Sequence, residues 1–130
     1  SLGCAEDIMP ELSKNFDLIF TSPPYFNVEK YSTEPSQSYI RYPEYEIWRD
    51  KFLYKIIFES YRLCKRGGYF VWNVKDYKKY PIASDSINCA LKLGFVLEKT
   101  YQMRLSNSEF NRKDDQVKWH TEPIFVLKKQ

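Results

Sequence analysis

The apolar run Phe16, Asp17, Leu18, Ile19, Phe20 leads directly into Thr21, Ser22, Pro23, Pro24 and Tyr25. A stretch this apolar and this short predicts a strand buried on both faces, as in a parallel sheet. Two consecutive prolines then end it, because neither donates an N–H to a ladder and each fixes φ near about −65°. Pro23 holds Ser22, and Pro24 holds Pro23, in extended conformations, so the carbonyls of both residues point in fixed directions with little entropy left to lose. Ser22 adds a hydroxyl and Tyr25 an aromatic face on which a planar group can stack. The result is a rigid, flat-walled pocket at a strand's carboxyl end, where open α/β sheets bind ligands.

The rest of the chain supplies the sheet. From Trp48, the residues Phe52, Leu53, Ile56, Ile57, Leu63 and Cys64 recur near helical spacing, with Lys65 and Arg66 in the last turn and Gly67 as the C-terminal cap. Gly68 leads into Tyr69, Phe70, Val71, Trp72, Asn73 and Val74, a second buried strand. A helix from about Ile82 to Leu93 is closed by Gly94, a third strand runs from Phe95 to about Met103, and a fourth from Glu122 to Lys128. Strands alternating with helices predict βαβ units. The last two strands leave no room for a crossover helix between them, so they form an antiparallel end of the sheet.

The stretch DLIFTSPPY, Asp17 to Tyr25, resembles the catalytic motif of the amino-group DNA methyltransferases, which use S-adenosylmethionine to methylate N4 of cytosine or N6 of adenine. Phe26, Asn27 and Val28, then Tyr31 and Ser32, resemble the way many of these proteins continue. The serine form of the motif is more often associated with N4-cytosine enzymes. The order strand, helix, strand, helix, strand, strand is similar to the catalytic half of the Rossmann-like methyltransferase fold. The resemblance covers essentially all 130 residues and implies an α/β fold of that half only, a mixed sheet with antiparallel final strands. KWHTEPIFVLKK, Lys118 to Lys129, resembles the family less closely than the motif does, in a region where the family often carries an acidic residue before its final strand.

The resemblance also assigns roles. Ser22, Pro23, Pro24 and Tyr25 are the catalytic residues and Phe26 a further wall of the base pocket. A flipped base would stack on Tyr25 with its amino group donating to the Ser22 hydroxyl and the Pro23 carbonyl. Methyl would pass directly from the sulfonium to nitrogen, without a covalent cysteine intermediate, and no cysteine lies near the motif. Thr21 and Ser22 would meet the methionine end of S-adenosylmethionine. The family's glycine-rich cofactor turn is another matter, since Gly3, Gly67, Gly68 and Gly94 are the four glycines and none falls in such a motif. Residues 1–130 are therefore expected to be a single partial methyltransferase domain. The absent cofactor-binding half would belong to the same protein or to a partner chain, and residues Leu2 to Asp7 would be a remnant of the family's pre-catalytic segment. There the family's usual Asp is replaced by Cys4.

Composition bounds the partners. A net charge of +3 permits nucleic acid without requiring it. Two basic clusters, Lys75, Lys78 and Lys79 after the second strand and Arg112, Lys113 and Lys118 in the late loop, fall at carboxyl ends of strands beside the pocket. Lys78, Lys79, Arg112 and Lys113 are candidate DNA-phosphate contacts; a solvated loop face is the other reading. Tyr31, Tyr39, Tyr42, Tyr45 and Trp48 serve equally as stacking platforms or as packing for the loop. The absence of a long apolar stretch argues against a membrane role, and Cys4, Cys64 and Cys89, without metal-ligand spacing, fit a reducing cytoplasmic setting. His120 reads as a loop or strand-entry residue. An apolar edge left by a half-sheet would allow a homo-oligomer. Two other functions stay open: methylation of RNA or of a protein amide, and a truncated, non-catalytic domain that binds DNA or a partner.

Overall fold

The computed structural model describes residues 5–13, 15–23, 44–76, 80–106 and 119–130. One mixed sheet holds β1 (Phe16–Thr21), β2 (Cys64–Asn73), β3 (Phe95–Ser106) and β4 (Trp119–Lys129) in the order β1-β2-β4-β3. β1 runs parallel to β2, whereas β4 is antiparallel to both β2 and β3. The helices are α1 (Ala5–Ile8), continued by a 3-10 turn at Met9–Glu11, then α2 (Tyr45–Trp48), α3 (Tyr54–Leu63) and α4 (Ile82–Leu93). The expected α/β layout with an antiparallel end is present, and β4 lies between β2 and β3.

A π-helical stretch, Arg49–Leu53, joins α2 to α3. Its wider i→i+5 turn keeps Trp48, Phe52 and Leu53 all buried, where periodicity alone predicted a regular helix. That helical run ends at Leu63 rather than in a last turn at Lys65 and Arg66, because Cys64 is already extended and pairs with Phe16. The next parallel pair is Leu18 with Tyr69, so Asp17 alone faces the stretch 65–68. Gly67 serves this bulge, with φ of 82°, and is not a helix cap. At Gly68 a Cβ would stand 2.8 Å from the Lys65 carbonyl oxygen and 2.9 Å from that of Asp17, so the strands close only around a glycine.

The second long helix has its expected bounds. Ile82, Ala83, Ser86 and Ala90 are buried at helical spacing, and Gly94 ends the helix at φ of 120° with the Tyr61 hydroxyl only 2.8 Å from where a Cβ would be. β3 and β4 each extend three residues past their expected inner ends, to Ser106 and back to Trp119. Backbone pairing of Arg104 with Thr121 and Ser106 with Trp119 carries the ladder through residues too polar to read as a buried strand.

Among the described residues the core lies on one face of the sheet. Trp48, Phe52, Leu53, Ile56, Ile57, Ile82 and Ala90 from the helical layer pack with Phe70, Trp72, Phe95 and Leu127, and Ile19 joins them. Strand alternation puts Leu18 and Phe20 on the other face, beside Tyr69 and Val71. There Leu18 is 59% and Phe20 61% exposed, which corrects the expectation of a strand buried on both faces. β1 is the terminal strand, and the described residues place no layer over this side. Among the described residues no helix is long and apolar enough to cross a membrane.

Candidate active site

The motif begins where β1 ends. Thr21 pairs with Trp72 on β2, Ser22 is exposed and Pro23 is buried. A buried proline following an exposed serine anchors the turn while leaving the hydroxyl accessible. Pro24, Tyr25 and Phe26 lie outside the described residues, as do Lys78, Lys79, Arg112, Lys113 and Lys118. Of the two basic clusters only Lys75 is described: its ammonium stands 3.8 Å from Glu122 of β4, a long ion pair across neighbouring strands.

The carboxyl end of β2 carries groups that the sequence reading did not single out. Asn73 is only 8% exposed, and its side-chain Oδ1 accepts no hydrogen bond among the described residues. Three residues on, Asp76 Oδ1 accepts the backbone N–H of Ala83 at 2.8 Å and of Ser84 at 3.3 Å. These are among the N-terminal N–H groups of α4 that have no partner within the helix. The loop between β2 and α4 is pinned at its far end as well, where the Tyr80 ring stacks on Tyr45 at 5.0 Å. Tyr45 donates its hydroxyl to Asp85 Oδ2 at 2.7 Å, and the Arg49 guanidinium lies 3.8 Å from the same oxygen. Burial, then the hydrogen bond to Asp85, pushes the Tyr45 phenol far above its ordinary range. No spacing rule announces such contacts, because they join residues 7 and 40 apart in the chain.

On the amino side of β1, Arg62 ties the segment before the strand to α3. Its guanidinium donates to the carbonyls of Met9 at 2.8 Å and Leu12 at 2.9 Å, while Nε bonds buried Glu59 at 2.7 Å. An open apolar groove of about 280 Å³ runs here along β1, lined by Met9, Leu12, Phe16, Leu18, Ile19, Phe20 and Leu63. Burial pushes the thiols of Cys64 and Cys89 up from their ordinary value. Cys64 begins β2, at the end of the strand away from the motif.

The described glycines do not fit a phosphate- or nucleoside-cradling turn. Gly67 and Gly68 are used by the bulge and Gly94 by the end of a helix. Among the described residues, no such turn stands beside Thr21 and Ser22. Among the described residues no group of three or more His, Cys, Asp or Glu gathers to hold a metal ion.

The whole motif strand and everything after it, residues 16–130, match the model of the N6/N4 methyltransferase family, described as DNA methylase. Solved structures match over almost the full chain. The DNA modification methylase TTHA0409 of Thermus thermophilus, described as putative, aligns with 98% of this chain and 50% of its own length, at 22% identity and a TM-score of 0.66. A structure of TTHA0409 complexed with S-adenosyl-L-methionine aligns at 23% identity and a TM-score of 0.62, covering 98% and 54%. The complex of M1.HpyAVI with SAM aligns at 17% identity and a TM-score of 0.57, covering 98% and 53%. The chain thus spans about half the length of these proteins, and at such identities the likeness is one of fold. No curated protein matches. The motif, the mixed sheet that displays it and the family match over residues 16–130 agree: this chain belongs to the N6/N4 DNA methylase family.

Proposed function

We propose that this chain is the base-binding, catalytic part of a DNA methyltransferase that methylates the exocyclic amino group of a flipped base, N4 of cytosine in preference to N6 of adenine. The observation that carries this reading is the turn itself, an exposed Ser22 held against a buried Pro23 at the carboxyl end of β1. An exocyclic amine is a poor nucleophile because its lone pair is delocalised into the ring. The Ser22 hydroxyl and the Pro23 carbonyl accept its two hydrogens and favour a more sp³-like nitrogen, while Tyr25 stacks the ring and Phe26 walls the pocket. The work is orientation and electrostatics. S-adenosylmethionine, when bound, supplies the electrophilic methyl; Thr21 and Ser22 would face its methionine end. Lys78, Lys79, Arg112 and Lys113 would hold DNA phosphates.

The adenosine end needs residues beyond those described. The bare sheet face, the terminal position of β1 and the half-length match to the relatives support a second, cofactor-binding half that pairs along β1 and covers Leu18 and Phe20. Parallel strands are stable when both faces are covered.

The test is methylation of unmethylated DNA by the complete protein, with tritiated methyl donor. Wild type transfers label to DNA, and Ser22→Ala lowers the rate by about one to three orders of magnitude. Tyr25→Ala weakens base capture by roughly 1 to 3 kcal/mol, the range for base stacking. Wild-type rates in both variants remove the assignment. Label in RNA or protein but not in DNA supports the alternative substrate classes, and DNA binding without any transfer supports a non-catalytic domain.

A further inference from the structure

Asn73 has no part in the mechanism above, yet it follows Trp72, the β2 partner of Thr21 beside the motif. Thr21 and Trp72 are the last partners across β1 and β2, and Ser22 and Asn73 are the residues that follow them on the two chains. Pro23 keeps Ser22 extended, and strand alternation then puts Ser22 and Asn73 on the same side, the side of Phe20 and Val71. More than nine-tenths of Asn73 is buried, and its Oδ1 accepts no hydrogen bond among the described residues. A buried amide end without a partner is uncommon in a folded protein, because the lost hydration is not replaced. Rotation of the amide by half a turn presents either its carbonyl or its NH₂ at that point, and both ends have nearly the same shape.

The topology says which ligand group this amide meets. β2 lies on one side of β1, and the unpaired edge, where the rest of a full-length relative would join, lies on the other. Asn73 is therefore one strand further from that unpaired edge than Ser22, beside the turn to which the proposed reading assigns the base. Within the base, both amine hydrogens already have acceptors in Ser22 and Pro23. The next polar atom along the same edge is the unprotonated ring nitrogen beside the amine, N3 in cytosine and N1 in adenine. That atom is an acceptor, which the NH₂ end of an amide satisfies.

We propose that Asn73 is a base-contact residue whose side-chain NH₂ donates to the ring nitrogen adjacent to the target amine. The inference rests on the reading of Ser22 and Pro23 as amine acceptors. Such a contact accepts cytosine and adenine alike and rejects a base carrying N–H at that ring position. It also fixes the rotation of the base in its plane, so the amine meets Ser22 and Pro23 together.

The experiment is a protein–substrate cycle in the complete enzyme. Wild type and Asn73→Ala are compared on DNA with the target base unmodified and with its ring nitrogen replaced by CH (3-deazacytosine, or 1-deazaadenine if adenine is the target). On the natural base the substitution is expected to lower kcat/KM about ten- to a hundredfold, the worth of one buried hydrogen bond. On the deaza base the two proteins should differ by less than about twofold, because the contact is already gone. Asn73→Asp, nearly the same size but able only to accept, should fall below Asn73→Ala on the natural base and match it on the deaza base. Should Asn73→Ala fail to fold, the Asp variant carries the same comparison. An equal loss on both substrates overturns the contact and returns Asn73 to a structural role. Absence of methyl transfer by wild type to any natural DNA overturns the underlying reading instead, and this inference with it.

Discussion

Asp76 and Ala83 are joined by a 2.8 Å hydrogen bond from the Ala83 backbone N–H to the Asp76 carboxylate, so a residue just past β2 caps the helix that follows. The Ser84 N–H donates to the same oxygen and the Ser84 hydroxyl to the other. An acceptor and a negative charge at a helix N-terminus act in the same direction. Asp76→Ala is expected to cost about 1 kcal/mol of stability, the usual worth of a cap, with Asp76→Asn in between. Urea unfolding of the three proteins measures it, and equal midpoints would deny the cap its weight.

Tyr45 gives the fold an alkaline limit. Its folded phenol is held protonated far above the ordinary value of 10.0, by burial first and then by its bond to Asp85. The native state thus keeps a proton that the unfolded chain gives up, so stability is whole below pH 10.0 and falls as pH rises past that value. The melting temperature should decline with pH in this range, and Tyr45→Phe should decline less steeply. Parallel curves would place the alkaline limit elsewhere, for instance at Tyr54 or the Cys64 and Cys89 thiols, all three of which are also pushed up by burial.

The basic loops make a claim about salt. If Lys78, Lys79, Arg112 and Lys113 touch phosphates, neutralising them together weakens DNA binding to every sequence and flattens its salt dependence by a log–log slope of about 0.9 per lost contact. Fluorescence anisotropy over a salt series reads the slope. An unchanged slope makes these residues a solvated face.

The boundaries of α4, the start of β1 and its motif, and the antiparallel end of the sheet were legible because each rests on local chemistry: Gly94 at positive φ, apolar runs, paired prolines. Gly67 was legible as a glycine that needs positive φ and was misplaced, since only the register of Phe16 with Cys64 shows that a bulge uses it. Leu18 and Phe20 read as buried because an apolar run states that a strand is meant to be covered, and not whether the cover lies among the same residues. Asn73, Asp76 and the Tyr45–Asp85 pair escaped notice for a different reason. Their roles come from which residue stands across from which, and single-chain spacing carries no such information.

The bare face predicts the behaviour of residues 1–130 alone. If, as proposed, the nucleoside cradle lies in the other half, only the methionine end of S-adenosylmethionine would meet partners here, and loss of most contacts leaves the cost of immobilising the ligand unmatched. Calorimetry should detect no binding at micromolar concentration and no turnover, while sedimentation should show self-association through the β1 edge and exposed Leu18 and Phe20. Tight one-to-one binding by a monomer would mean that a cradle exists within these residues.

The central claim is that the turn at Ser22 and Pro23 directs a methyl group onto an exocyclic amine of DNA. Mass spectrometry of nucleosides from DNA treated with the complete protein and deuterated methyl donor tests it most directly. The account predicts labelled N4-methylcytosine that falls by about one to three orders of magnitude with Ser22→Ala. Label at C5 of cytosine, or labelled amine that persists undiminished in Ser22→Ala, would contradict it.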